Sequence, residues 1–143
     1  MKTVLMRHVT DSIFEVMETM FFMTLEEVKT QADLPRDRVA SAISFSGKLA
    51  GTIYLEIPRS LLKTMTENFM GQDMDSLSQE YSDGTLKEAL NMIAGSALTK
   101  VDPEDYMGLG IPEIIPSPAP SAVDETVVLS NAQDIMLAHV KMN

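Results

Sequence analysis

Cysteine is absent from this chain of 143 residues. Disulfides and thiolate-bound metals are therefore excluded, and the composition suits a reducing compartment. Basic residues are few: 11 Lys and Arg stand against 21 Asp and Glu, and the net charge is −10. No Lys/Arg cluster stands out, which argues against nucleic-acid binding. Long apolar runs are missing too, so the sequence offers no membrane span. At the start, MKTVLMRHVTDSIFEVM sets Arg7, His8 and Asp11 close behind Val4–Met6. That pattern lacks the apolar core and small-residue cleavage site of a signal peptide. A cytoplasmic location is the expectation. Histidine is limited to His8 and His139, with no H-E-x-x-H spacing, and no G-x-S-x-G or Walker-type loop appears. His139 falls in an expected strand and reads as a structural or surface residue. Gly108-Leu109-Gly110 is a short pair that reads as a turn.

What remains is a normal globular balance of 45% hydrophobic and 22% charged residues, expected to form a single domain over 1–143 with a real core. Twelve methionines are expected to fill core gaps, although Met also serves adaptable binding surfaces.

In chain order, Asp11–Lys29 reads as the first long helix, capped by Asp11 or Ser12, with Ile13, Met17, Met20, Thr24 and Val28 on its stripe. Gln31–Asp37 reads as a loop. Arg38–Ser46 and Leu49–Ile57 alternate as a hairpin turning around Gly47 and Lys48. Pro58 opens a shorter helix at a first-turn position, and Gly71 caps its end. Gln72–Gln79 is polar and aperiodic. A second long helix runs from about Ser82 to Lys100, capped by Ser82 or Asp83, and Asp102-Pro103 ends it. Tyr106–Pro120 reads mostly as loop, with Glu113–Ile115 as a short edge strand and the PSPAPS stretch at 116–121 as a stiff connection. Glu125–Leu129 and Asp134–Met142 form a second hairpin joined at Ser130-Asn131-Ala132. The expected fold is α+β: two long helices and a shorter one packed on an antiparallel sheet built from two hairpins.

The second long helix organises the rest. Leu86, Leu90, Ile93, Ala97 and Val101 fall in one arc, and Glu88 lies opposite that arc. Asn91 sits about 60° from Glu88 and Gly95 about 20° from it on a helical wheel. The outward face thus carries a carboxylate, a carboxamide and then a bare backbone. A glycine inside a helix costs roughly 1 kcal/mol relative to Ala, which close approach of another backbone could offset. Any one of these residues alone reads as an ordinary solvated face; the combination Glu-x-x-Asn-x-x-x-Gly is more informative. Laying Glu15 on Glu88 also puts Ile13 on Leu86, Met17 on Leu90, Met20 on Ile93 and Leu25 on Leu98. Phe45-Ser46-Gly47 then echoes Leu129-Ser130-Asn131. This is read as a pseudo-repeat of a helix-plus-hairpin unit. In the first copy Glu18 stands at the place of Asn91 and Phe22 at that of Gly95, so a docking face there would be impaired.

Glu88-x-x-Asn91-x-x-x-Gly95, within LKEALNMIAGSALTK, resembles the active-site helix of the CheC/CheX/FliY chemotaxis phosphatases. Ile57-Pro58 leading into a helix that ends Phe69-Met70-Gly71, and prolines followed by a final hairpin, are similar to the same family. One intact motif is closer to CheX than to CheC. The resemblance implies dephosphorylation of a phosphorylated CheY-like receiver domain. Asn91 would orient the attacking water and Glu88 would anchor the docked helix to a lysine of the regulator. Gly84, Met92, Gly95 and Thr99 would complete the partner-binding face. It implies no cofactor of the chain's own, Mg²⁺ coming with the partner, and a homodimer with sheets joined across a twofold axis. One departure is Gly84, where the family commonly has a small acidic or hydroxyl residue. At a net charge of −10 recognition would have to be local rather than steered at long range.

Two other readings share the sequence. A non-catalytic docking module would use the same face to bind a receiver domain or flagellar-switch partner. An unrelated α+β domain would instead need a deep pocket of convergent polar groups, which the sequence does not predict.

Overall fold

A computed structural model describes residues 2–29, 35–73, 78–104, 107–116 and 123–143. Parts of the expected polar stretches (31–34 and 74–77), residues 105–106 and most of the proline-rich connection (117–122) lie outside the described residues.

The elements run α1 (Lys2–Met20), β1 (Glu26–Val28), β2 (Arg38–Ser46), β3 (Gly51–Pro58), α2 (Arg59–Met70), α3 (Gln79–Val101), β4 (Gly108–Leu109), β5 (Glu113–Ile115), β6 (Glu125–Ser130) and β7 (Ile135–Met142). Both expected hairpins form. They meet through an antiparallel β3–β7 pairing at the middle of the sheet, which has the order β1-β6-β7-β3-β2-β4 with β5 also on β2. Among the described residues the sheet therefore has seven strands, where two hairpins supply four. The short strand β1 adds to β6 of the second hairpin, and β5 adds to β2 of the first. Each half completes the sheet of the other, an arrangement that fits the repeat read from the sequence.

Several boundaries differ from expectation. The first helix starts at Lys2 rather than Asp11, because Leu5 and Val9 carry the stripe of Ile13 and Met17 back by two turns, and all four are fully buried. Asp11 and Ser12 are therefore mid-helix residues and not caps. The helix stops at Met20. Phe22 takes a left-handed conformation (φ 57°), while the Met17 carbonyl accepts from the Phe21 and Met23 amides. Glu26–Val28 then pairs with β6 instead of continuing the helix, so Leu25 does not match Leu98 as a helical residue. Pro58 ends β3 and is the extended N-cap of α2 (φ −63°, ψ 144°), not a first-turn residue. Gly71 caps the end of that helix as expected, left-handed and with its amide on the Glu67 carbonyl. Gly108-Leu109 is a strand against Phe45 and Ser46 rather than a turn.

The core lies between the helices and one sheet face. Val39, Ile43, Phe45, Ile53, Leu55, Ile57, Val127, Leu129, Met136, Ala138 and Val140 point inward from alternating strand positions. They meet α1 over β6 and β7, and α3 over β2 and β3. Burying a side chain such as Leu90 contributes about 1.5–3 kcal/mol, so this layer fixes which face of α3 can turn outward. On the opposite sheet face, His139 is buried beside Thr126 Oγ1 (2.7 Å from Nδ1). Its Nε2 lies 4.0 Å from Glu56 Oε2. Burial holds the His139 pKa below its usual value, against the raising pull of Glu56. His139 is thus a structural residue of the sheet, far from the helix layer's outer surface.

Candidate functional site on the outer face of α3

Helix α3 begins at Gln79, with Ser78 as N-cap in extended geometry. The expected caps Ser82 and Asp83 instead lie in its first turns. Ser82 is buried and donates to the Gln79 carbonyl (2.9 Å), and Asp83 pairs with Arg59 of α2 (3.5 Å). These two contacts use the side chains that would otherwise cap, so the helix gains three residues and Gly84 becomes interior.

Leu86, Ala89, Leu90, Ile93, Ala94 and Ala97 are 0–1% exposed. They fix the inward arc, and the outward arc follows by geometry: Gly84, Glu88, Asn91, Gly95 and Thr99 fall within about 80° of one another on the wheel. Glu88, Gly84 and Thr99 are exposed, and Asn91 and Gly95 are half-buried. Met92 sits at the margin, half-buried and packed on the core. Neither Glu88 nor Asn91 has a hydrogen bond or ion pair among the described residues. Thr99 donates its hydroxyl to the Gly95 carbonyl (2.8 Å), which leaves only its oxygen lone pairs for another molecule.

Nothing among the described residues packs against either glycine closely enough to require it. A Cβ at Gly84 would meet nothing within 4 Å, and one at Gly95 would meet only Leu109 Cδ1 at 3.7 Å, an ordinary contact. Alanine would fit at both places and favour the helix by about 1 kcal/mol each. Packing among the described residues therefore does not select glycine at either position.

Other features of the face were not legible beforehand. Lys100 donates to Glu15 (2.8 Å) and to Ser12 Oγ (3.3 Å), and Ser12 donates to Ser96 (3.1 Å), tying α1 to the last turns of α3. The ammonium also suits the negative end of the helix dipole. Beyond the N-terminal end of the stripe, Phe69, Met70, Glu80, Tyr81, Gly84 and Thr85 line a concavity of about 450 Å³. Phe69 and Tyr81 are 39% and 51% exposed. Only Tyr81, three positions before Gly84, was near it in sequence. No group of three or more metal-ligating side chains occurs among the described residues, and no described helix is long and apolar enough to cross a membrane.

A helix layer over one face of an antiparallel sheet makes the chain an α+β protein, with the acid–amide pair of the sequence motif turned outward. The sequence profile described as "Chemotaxis phosphatase CheX" matches residues 39–133, and the chain belongs to that CheX family. Solved structures agree on the fold. CheX from Vibrio vulnificus superposes with a TM-score of 0.79 at 15% identity, covering 97% of this chain and 99% of that one. A CheC-like superfamily protein from a Shewanella species gives 0.79 at 18% identity, covering 100% and 99%. CheX from Borrelia burgdorferi, solved in a complex with CheY, BeF3 and Mg²⁺, gives 0.78 at 16% identity, covering 96% and 97%. Among curated proteins nothing matches.

Proposed function

We propose that this chain hydrolyses the phosphoaspartate of a CheY-like receiver domain docked on the outer face of α3. The observation that carries the reading is the pair Glu88 and Asn91, outward and unpartnered among the described residues, between two glycines that packing among those residues does not select. The CheX–CheY complex of Borrelia burgdorferi supports a receiver domain as the partner and Mg²⁺ as something that arrives with it.

The chemistry asks little of the protein. Water attacks phosphorus, the P–O bond to the aspartyl carboxylate breaks, and inorganic phosphate and a free carboxylate result. Positioning and electrostatics supply most of the acceleration in such transfers. The carboxamide of Asn91 accepts a hydrogen bond from the water and donates another, holding the oxygen in line without adding negative charge. A carboxylate at the same place would face the phosphoryl oxygens; two unit charges 4 Å apart repel by about 4 kcal/mol at an effective dielectric of 20. Glu88 has a different task. It pairs with a lysine of the receiver and fixes the helix over the acyl phosphate, a charge-assisted contact.

The test is the decay of a phosphorylated receiver domain in Mg²⁺, with and without the protein. Wild type is expected to accelerate decay, and Asn91→Ala to abolish the acceleration while binding persists. Binding by wild type without faster decay would replace this reading with a non-catalytic docking module on the same face.

A further inference from the structure

The stripe of α3 opens at its N-terminal end into the hollow between Phe69, Met70 and Tyr81, and nothing in the chemistry above uses that hollow. Three of its properties point one way. Its walls are large apolar side chains left partly in water, where an isolated helix junction would be expected to fold them inward. Its floor includes Gly84, whose missing side chain leaves open space rather than a packed contact. Its rim carries the carboxylate of Glu80, with Glu88 about two turns further along the same helix.

Distance makes the hollow part of the docking face. Gly84 precedes Asn91 by seven positions, which is about 10 Å along a helix. A standard interface covers about 800 Å² on each partner, equivalent to a disc of about 16 Å radius. A receiver domain centred on Asn91 therefore reaches the hollow without a second footprint.

Resting on the phosphatase reading of the same face, we infer that the Phe69–Met70–Tyr81–Gly84 hollow is the specificity pocket of the docked receiver domain. It seats one apolar side chain of the receiver that is flanked by a basic residue. The apolar side chain fills the space above Gly84 between the Phe69 and Tyr81 rings, as buried anchors do at other interfaces. The basic neighbour meets Glu80. The contact lies away from the acyl phosphate, so it holds substrate and transition state equally and acts on KM rather than kcat.

The experiment measures kcat and KM for receiver dephosphorylation by wild type, Tyr81→Ala, Phe69→Ala and Gly84→Leu. Gly84→Leu is the informative variant, because leucine favours the helix and its first atoms enter open space. Its melting temperature is expected to rise while KM increases at least tenfold. Tyr81→Ala is expected to raise KM severalfold with kcat within a factor of two. An unchanged KM in both, with wild type active and Asn91→Ala inactive, overturns the pocket and leaves the phosphatase reading standing. A wild type that does not accelerate decay overturns both. A change in sedimentation mass in place of a change in KM would assign the hollow to a second copy of this chain and remove the proposal.

Discussion

In α1 the carboxylate of Glu15 is drawn sideways to Lys100 at 2.8 Å; in α3 its counterpart Glu88 reaches solvent with no partner among the described residues. The two helices hold equivalent places over the two hairpins, α1 on β6 and β7, and α3 on β2 and β3. Three turns of the comparison differ. Glu15 is paired internally where Glu88 has no partner among the described residues. Glu18 puts a charge where Asn91 offers a neutral amide. The third difference is one of backbone: α3 continues through Gly95 as a bare helical surface, whereas α1 has already ended when Phe22 arrives, left-handed and 75% exposed. If the proposed docking face needs an unpaired carboxylate, a neutral amide and a continuous helix, the equivalent positions of α1 offer a paired carboxylate, a second carboxylate and a helix end instead.

The strongest way to break the comparison is to write the α1 residue into α3. Asn91→Glu is expected to lower the dephosphorylation rate by roughly 10²–10³-fold, the loss seen when one preorganised donor is removed, and to the same floor as Asn91→Ala or below it. The converse change should give nothing: Glu18→Asn in the Asn91→Ala background is expected to restore no activity, since Glu15 stays tied to Lys100. Measurable rescue there would show α1 to be a competent second site. Next in size is the third difference. Gly95→Phe is expected to abolish receiver binding in a titration, whereas Gly95→Ala, meeting only Leu109, should weaken binding a few-fold and raise thermal stability by about 0.5–1 kcal/mol. Equal binding by Gly95→Phe and wild type would move the docking site elsewhere.

The smallest effect sharpens the contrast between the helix layer and the sheet behind it. Burial depresses the His139 pKa despite Glu56, so the unfolded chain takes up the proton more readily than the native one. Stability should therefore fall as pH drops through about 6.5, the unperturbed value, towards the lowered native value. His139→Gln should flatten that part of the melting-temperature profile without changing KM for the receiver. A profile that stays equally steep would assign the dependence to other groups.

Much of this was readable from residues alone. The inward arc of α3, both hairpins, the Gly71 cap and the edge strand at Glu113–Ile115 follow from periodicity and turn chemistry, which are local. Misreadings arose wherever a distant contact decided. The stripe of α1 begins at Leu5, but Arg7 and His8 hide it in the sequence. Glu26–Val28 continues a plausible helical pattern and becomes a strand only because the edge of β6 is there to pair with it. Ser82 and Asp83 look like caps until the Gln79 carbonyl and Arg59 engage them. At the site the outward position of Glu88, Asn91 and Gly95 was legible, because burial of the opposite arc dictates it. The hollow beside Gly84 was not, since Phe69 and Tyr81 meet only through the packing of α2 on α3.

The exchange of short strands between the halves has a consequence in time. During synthesis Glu26–Val28 emerges long before its partners Val128–Ser130. Pairings between such remote segments form late and make folding slow. Until the last hairpin closes, β1 has no neighbour, and the β3 edge that β7 will occupy is open. An unfinished chain is accordingly exposed to association through bare strand edges. Pulse-labelling hydrogen exchange during refolding should find β1, β6 and β7 gaining protection together and last, after β2 and β3 have paired.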